Sequence, residues 1–168
     1  EWSYENFYQI PAMAAVLRIK LREVLREDLG GTYGVRVDVS TTHFPRGEYR
    51  IGVTFGCDPE RVDELTGTVF SQIDSLAQAG PDSSYVQKVQ EMHRRQHEVR
   101  SKENDFWLDA LEMLYFHDLA PRAFLDYEEM VDRLDGETVR QLARRYFNRE
   151  NYIRVVLFPE KYKTLKNK

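Results

Sequence analysis

The sequence predicts one α+β domain, a mainly antiparallel sheet packed against several helices. Three observations predict it. Long stretches repeat apolar residues every three or four positions, two neighbouring runs alternate in polarity around a Pro/Gly turn, and a nearly continuous apolar run lies near the C-terminus. The length of 168 residues suits a single core, and no repeat, low-complexity tract or long linker divides the chain.

From about Ser3 to Asp28, Ile10, Met13, Leu17, Leu21 and Leu25 recur at the period of one helix face. Pro11 fits best in a first turn, so the regular helix is expected to begin near it, with residues 3–9 as a looser lead-in. Gly30-Gly31 ends the helix. Tyr33–Thr42 alternates as a half-buried strand, Pro45-Arg46-Gly47-Glu48 is a turn, and Tyr49–Phe55 is the returning strand of a hairpin.

Asp58-Pro59 opens a helix to about Ala79 with Val62, Leu65, Val69, Ile73 and Leu76 on one face. After Gly80-Pro81, Asp82 or Ser83 caps a long charged helix reaching roughly Glu103. An aromatic-rich helix follows from about Asp105 to His117, another starts near Pro121, and one more runs from Gly136 to Phe147 behind Asp135. Tyr152–Phe158 reads as a strand buried on both faces. Three strands are few for five or six helices, so polypeptide outside these residues is expected to add at least one strand to the sheet.

The composition narrows the function. Hydrophobic residues make up 42%, aromatics 12% and charged residues 31%, as in a folded globular domain. A net charge of −4 gives no reason to expect nucleic acid or an anionic membrane as partner. Cys57 stands alone, which excludes an internal disulfide and a cysteine-rich metal site. No apolar run approaches the roughly 20 residues of a membrane span. The start at Glu1-Trp2-Ser3-Tyr4 has neither an initiator Met nor a signal-peptide pattern, as expected of an excised or processed piece.

The stretch Leu25-Arg26-Glu27-Asp28-Leu29-Gly30-Gly31-Thr32-Tyr33-Gly34-Val35 runs from helix through a glycine turn into a strand. It puts Arg26 in the last helical turn and Tyr33 at the mouth of the strand, where a sharp turn can bring both to one edge of the sheet. A guanidinium donates in a fixed fork and is always charged, and a phenol adds a second donor on an apolar body. Together they suit a polarised carbonyl or the oxyanion of a tetrahedral intermediate. The same residues also admit a plain reading, with Arg26 complementing the helix dipole and Tyr33 packing at a strand start.

The segment resembles the C-terminal-half signature of pitrilysin/insulinase-type zinc proteases, Leu-Arg-Glu-x-x-Gly-x-x-Tyr. Further similarity lies in Tyr4-Glu5-Asn6-Phe7-Tyr8, Ala15-Val16-Leu17-Arg18-Ile19-Lys20-Leu21-Arg22, and Phe55-Gly56-Cys57-Asp58-Pro59-Glu60-Arg61-Val62. Asn104-Asp105-Phe106-Trp107-Leu108 and Val155-Val156-Leu157-Phe158-Pro159 extend it over nearly the whole chain. The resemblance implies a processing-peptidase-like fold and makes residues 1–168 the C-terminal, zinc-free domain of a larger protease. It implies a clamshell whose N-terminal half, or a partner subunit, holds zinc in an H-x-x-E-H motif, with peptide as substrate. Arg26 and Tyr33, seven residues apart, match the Arg and Tyr that reach across to the scissile bond and help stabilise the tetrahedral intermediate. The chain alone is then inactive and binds no metal. The resemblance also allows a non-catalytic scaffold or partner subunit of the same fold, and it favours the periplasm or cell envelope.

His93-Arg94-Arg95-Gln96-His97 imitates a zinc motif, since two His at i and i+4 share a helix face. Gln96 stands where the general base should be, and an amide takes no proton from water. The expected reading is a solvated surface helix. Glu91, Glu98 and Glu103 on it are expected to face solvent beside nearby Arg and Lys. Phe106, Trp107, Leu111, Leu114 and Tyr115 are expected in core packing or a domain contact. His43 at the hairpin tip and His117 near a helix end have no evident partner.

Overall fold

A computed structural model describes residues 3–160 and residue 162. Helix α1 spans Tyr4–Arg22. Ser3 caps it, its Oγ accepting from Asn6 N at 3.0 Å, and Glu5 lies in the first turn. The helix therefore starts seven residues before Pro11 rather than near it, and residues 4–9 are regular helix. Pro11 sits exposed inside the helix, at the cost of one backbone bond. Burial outweighs that loss. Ile10, Met13, Leu17 and Leu21 are buried as the periodicity predicts, but so are Ala12, Ala14, Ala15 and Val16. Covered nearly all round, α1 is the central rod, contacted by the hairpin and three other helices.

Strands β1 (Val35–Thr42) and β2 (Glu48–Phe55) pair antiparallel, from Val35 opposite Phe55 to Thr42 opposite Glu48. Val37 is buried, and Val39, Ile51, Val53 and Phe55 pack partly buried against the core. On the other face, Arg36 pairs with Asp38 at 2.9 Å in solvent.

Asp58 caps a 3₁₀ turn (Pro59–Arg61) that leads into α2 (Val62–Ala79), which buries Leu65, Val69, Ile73 and Leu76. Asp82 caps α3 (Ser83–Arg100), accepting from Ser84 N at 2.8 Å. Helix α4 spans Asn104–Phe116, the short α5 and α6 cover Arg122–Leu125 and Tyr127–Asp132, and α7 spans Gly136–Tyr146 behind the cap Asp135. Helix α7 lies against α2, and Arg144 Nε donates to Ala77 O at 2.6 Å. The result is an α+β domain with one antiparallel hairpin laid over a helical layer.

Tyr152–Phe158 does not form the buried strand predicted for it. The segment joins no sheet, and Ile153, Val155 and Leu157 are 91%, 78% and 93% exposed. A strand exists only by pairing, and among the described residues no neighbouring strand offers residues 152–157 an edge.

Candidate functional site

After Arg22 the helix widens into one π turn, Glu23–Asp28, where Leu29 N donates to Val24 O at 3.1 Å. Leu25 from this turn is fully buried. Gly30 then takes φ +56°, the left-handed region glycine enters without strain, and Gly31 N donates back to Leu25 O at 2.8 Å. Gly31 is packed so tightly that a Cβ there would lie 2.7 Å from Leu65 Cδ2.

The corner is braced from three sides. Arg61 Nη1 donates to Leu29 O at 3.2 Å while its Nε and Nη2 grip Glu64 at 2.8 and 2.7 Å. The buried Thr32 donates through Oγ1 to Gly34 O at 2.9 Å and accepts from Gly34 N at 3.2 Å. Glu23, at the start of the π turn, accepts from the Tyr85 hydroxyl and from Lys88 Nζ of α3. The Tyr85 hydroxyl foremost, and then Lys88, hold the Glu23 carboxyl below its ordinary range, while Glu23 pushes the Tyr85 phenol up to about 12.

On this frame Arg26 lies in the last turn before the glycines and is exposed, and Tyr33 at the bend before β1 is 102% exposed. Neither side chain makes a hydrogen bond, ion pair or ring contact among the described residues. Placement in the last helical turn and at the strand mouth is as the sequence predicts, except that β1 begins at Val35 because Thr32 and Gly34 close a tight loop first. A shallow depression lined by Gly34, Val35, Arg36, Thr54, Phe55 and Gly56 opens beside the bend. Sequence reading missed Arg61, Thr32 and Glu23. Only Thr32 has a local signal, a hydroxyl residue amid glycines.

The histidines behave differently from expectation. His93 and His97 are not on a solvated face, because α3 turns them toward α1 and α6. His93 Nδ1 and the Tyr8 hydroxyl share a hydrogen bond of 3.2 Å, and burial, then Arg18, pull the His93 pKa below its ordinary value. The His97 ring stacks on Tyr127 at 4.2 Å with its Nε2 buried. His43 and His117, predicted to lack partners, meet each other at 3.0 Å between their Nδ1 atoms beside Phe44. These sets do not fit a zinc site. His93 and His97 spend their rings on a phenol and a ring stack, and among the described residues no three His, Cys, Asp or Glu side chains gather to hold an ion.

On α3, Glu98 pairs with Lys102 at 3.4 Å in solvent, while Glu91 and Glu103 are exposed without an ion pair among the described residues. Of the α4 aromatic set, Leu114 is buried and Phe106 packs on His97 and Phe124. Trp107, Leu111 and Tyr115 are exposed, so they contribute little to the core of this chain. No helix among the described residues is long and apolar enough to cross a membrane.

Comparison with known proteins defines the class. The family model for the Peptidase M16 inactive domain matches residues 2–92, and the chain belongs to that family. It is an inactive domain of the M16, or pitrilysin/insulinase, type of zinc protease.

Among curated relatives it is similar to the probable zinc protease PqqL of Haemophilus influenzae, 28% identical over 148 residues. That match covers 86% of this chain and 15% of the relative, so the chain spans about one-seventh of the relative's length. Among solved structures it resembles the periplasmic protease PqqL from Escherichia coli, with a TM-score of 0.70 and 20% identity over 86% of this chain and 16% of that one. It also resembles the ferredoxin protease FusC in complex with Arabidopsis ferredoxin, with a TM-score of 0.71 and 22% identity over 88% and 16%. A peptidase M16 inactive domain from Pseudomonas fluorescens has a TM-score of 0.66 and 16% identity over 82% and 34%.

Proposed function

We propose that residues 1–168 form the C-terminal, zinc-free domain of a zinc endopeptidase, and that they bind substrate and assist the transition state without cleaving peptides alone. One observation carries the reading. Two donors, Arg26 and Tyr33, stand in solvent on a corner whose backbone is braced from three sides, and neither has a structural duty there. Unpaired donors on a rigid frame are what an oxyanion contact requires. When the rest of the protease closes on a bound peptide, the Arg26 guanidinium and the Tyr33 phenol donate to the scissile carbonyl oxygen. They hold it as negative charge develops there in the tetrahedral intermediate. Zinc, as cofactor of the whole protease, belongs in this reading to another part of the polypeptide or to a partner subunit. The substrate class is peptides or small unfolded proteins.

The test is Arg26→Ala in the full-length enzyme. The expected result is a fall in kcat of one to two orders of magnitude, about 1.4–3 kcal/mol of transition-state stabilisation. An unchanged kcat/KM sinks the assigned role. The 168-residue chain alone is expected to hydrolyse no peptide, and chelator-sensitive peptidase activity from it would contradict the division of labour.

A further inference from the structure

The π turn that carries Arg26 begins at Glu23, the residue at which α1 ends. The Glu23 backbone N–H is shared between Ile19 O and Lys20 O, where the helix passes to a wider hydrogen-bond spacing. Its side chain turns away to α3. One carboxylate oxygen accepts from the Tyr85 hydroxyl and the other from Lys88 Nζ at 3.4 Å. The Tyr85 ring packs half-buried against the core, and the ammonium groups of Lys20 and Lys88 each lie 5.3 Å from its centre. Both oxygens of Glu23 are therefore committed to one clasp on α3.

The neighbours of Arg26 show what that commitment prevents. On a helix, side chains three or four positions apart face each other, and those one or two apart do not. The positions three and four away from Arg26 hold Arg22, Glu23, Leu29 and Gly30, whereas Glu27 and Asp28 stand too near in sequence. Glu23 is thus the one acid spaced to pair with Arg26, and an acid ahead of a base is the favourable order. No such pair forms, and Arg26 stands exposed without an ion pair among the described residues. The wider turn works in the same direction. It holds more residues than an α turn, so side chains three positions apart stand further round from each other.

We infer that Glu23, Tyr85 and Lys88 are positioning residues for peptide cleavage, the clasp on the Glu23 carboxylate keeping Arg26 unpaired for the substrate carbonyl. The inference rests on the role proposed for Arg26. An ionised carboxylate is a stronger acceptor than a neutral carbonyl. A released Glu23 would therefore occupy the guanidinium, and that pair would have to break in each turnover.

Kinetics of variants of the full-length enzyme test it. Tyr85→Phe with Lys88→Gln removes both donors to Glu23 and keeps the aromatic ring in place. The expected result is a fall in kcat of about two- to fivefold with KM within about twofold of the parent. Adding Glu23→Gln removes the competing charge without restoring the clasp, so kcat is expected to recover to the parent value. In an Arg26→Ala background, Tyr85→Phe with Lys88→Gln is expected to change kcat no further. A merely structural clasp gives the opposite pattern. Its loss would not be reversed by Glu23→Gln and would recur by the same factor without Arg26, and that pattern overturns the inference. An unchanged kcat in Tyr85→Phe with Lys88→Gln, while Arg26→Ala lowers it, overturns this inference alone. An unchanged kcat/KM in Arg26→Ala itself overturns the reading of the corner and this inference with it.

Discussion

At the α1–β1 corner the backbone is braced while the Arg26 and Tyr33 side chains stand in solvent; at the α3–α6 end the arrangement is reversed. There His93 and His97 are drawn inward, one onto the Tyr8 hydroxyl and the other flat against Tyr127, and what faces solvent is ordinary ion pairing such as Arg94 with Asp132 and Glu128. Both ends carry sequence patterns that suggest chemistry. A side chain that the fold already uses is not available to a substrate. The comparison therefore favours Arg26 and Tyr33 and discounts the histidines, for reasons of packing.

The corner owes its rigidity to the core beneath it, so the largest effect is expected there. Leu25, next to the exposed Arg26 in the π turn, is fully buried. Leu25→Ala is expected to cost about 2–5 kcal/mol, measured as a lowered urea midpoint with unchanged slope. A loss under about 1 kcal/mol would mean that the corner is not anchored through this side chain.

Gly31→Ala asks the same of the backbone. The added methyl would meet Leu65, itself fully buried and unable to swing away, and would press on Arg61. The expected loss is about 1–3 kcal/mol by urea titration. An unchanged midpoint would show the turn to be looser than its packing indicates.

At the other end the sharpening experiment is pH. Burial and then Arg18 hold the His93 pKa below its ordinary value, so the fold prefers the neutral ring. The sign follows from linkage. That preference is satisfied above the unfolded value of about 6.5, and stability is lost as pH falls through 6.5 toward the folded pKa. His117, lowered by burial and by His43, acts in the same direction. Urea midpoints taken from about pH 7.5 to 5 should fall in the parent and fall less in His93→Gln and in His117→Gln, each of which removes one such ring. Equal slopes in parent and His93→Gln would mean that the ring is not held neutral by its surroundings.

These differences also explain which features were legible in the sequence. The helices announced themselves through apolar spacing and caps, because both are local. Asp58, Asp82 and Asp135 all accept the cap bonds their positions suggest. Pro11 misled because a local preference lost to burial on every side of α1. Tyr152–Phe158 misled because strand propensity cannot make a ladder without a neighbour. Gly30-Gly31 marked the corner correctly, whereas the bond from Arg61 to Leu29 spans 32 positions and leaves no local trace. The histidine partners, His93 with Tyr8 and His43 with His117, were hidden for the same reason, being 85 and 74 positions apart.

The smallest expected effect is the most discriminating. If Arg26 complemented the helix dipole and Tyr33 packed at the strand start, removing them would destabilise the fold. Their exposure and lack of partners argue otherwise. Arg26→Ala and Tyr33→Ala are each expected to shift stability by no more than about 0.5 kcal/mol, the range of surface substitutions remote from any cap or core contact. A loss of more than about 1 kcal/mol in either variant would return that residue to the frame, and any fall in kcat would then have to be read as damage to the corner. Unchanged stability with reduced kcat would separate the two side chains from the frame that presents them. Leu25→Ala, which leaves both donors in place, provides the contrast within the same corner.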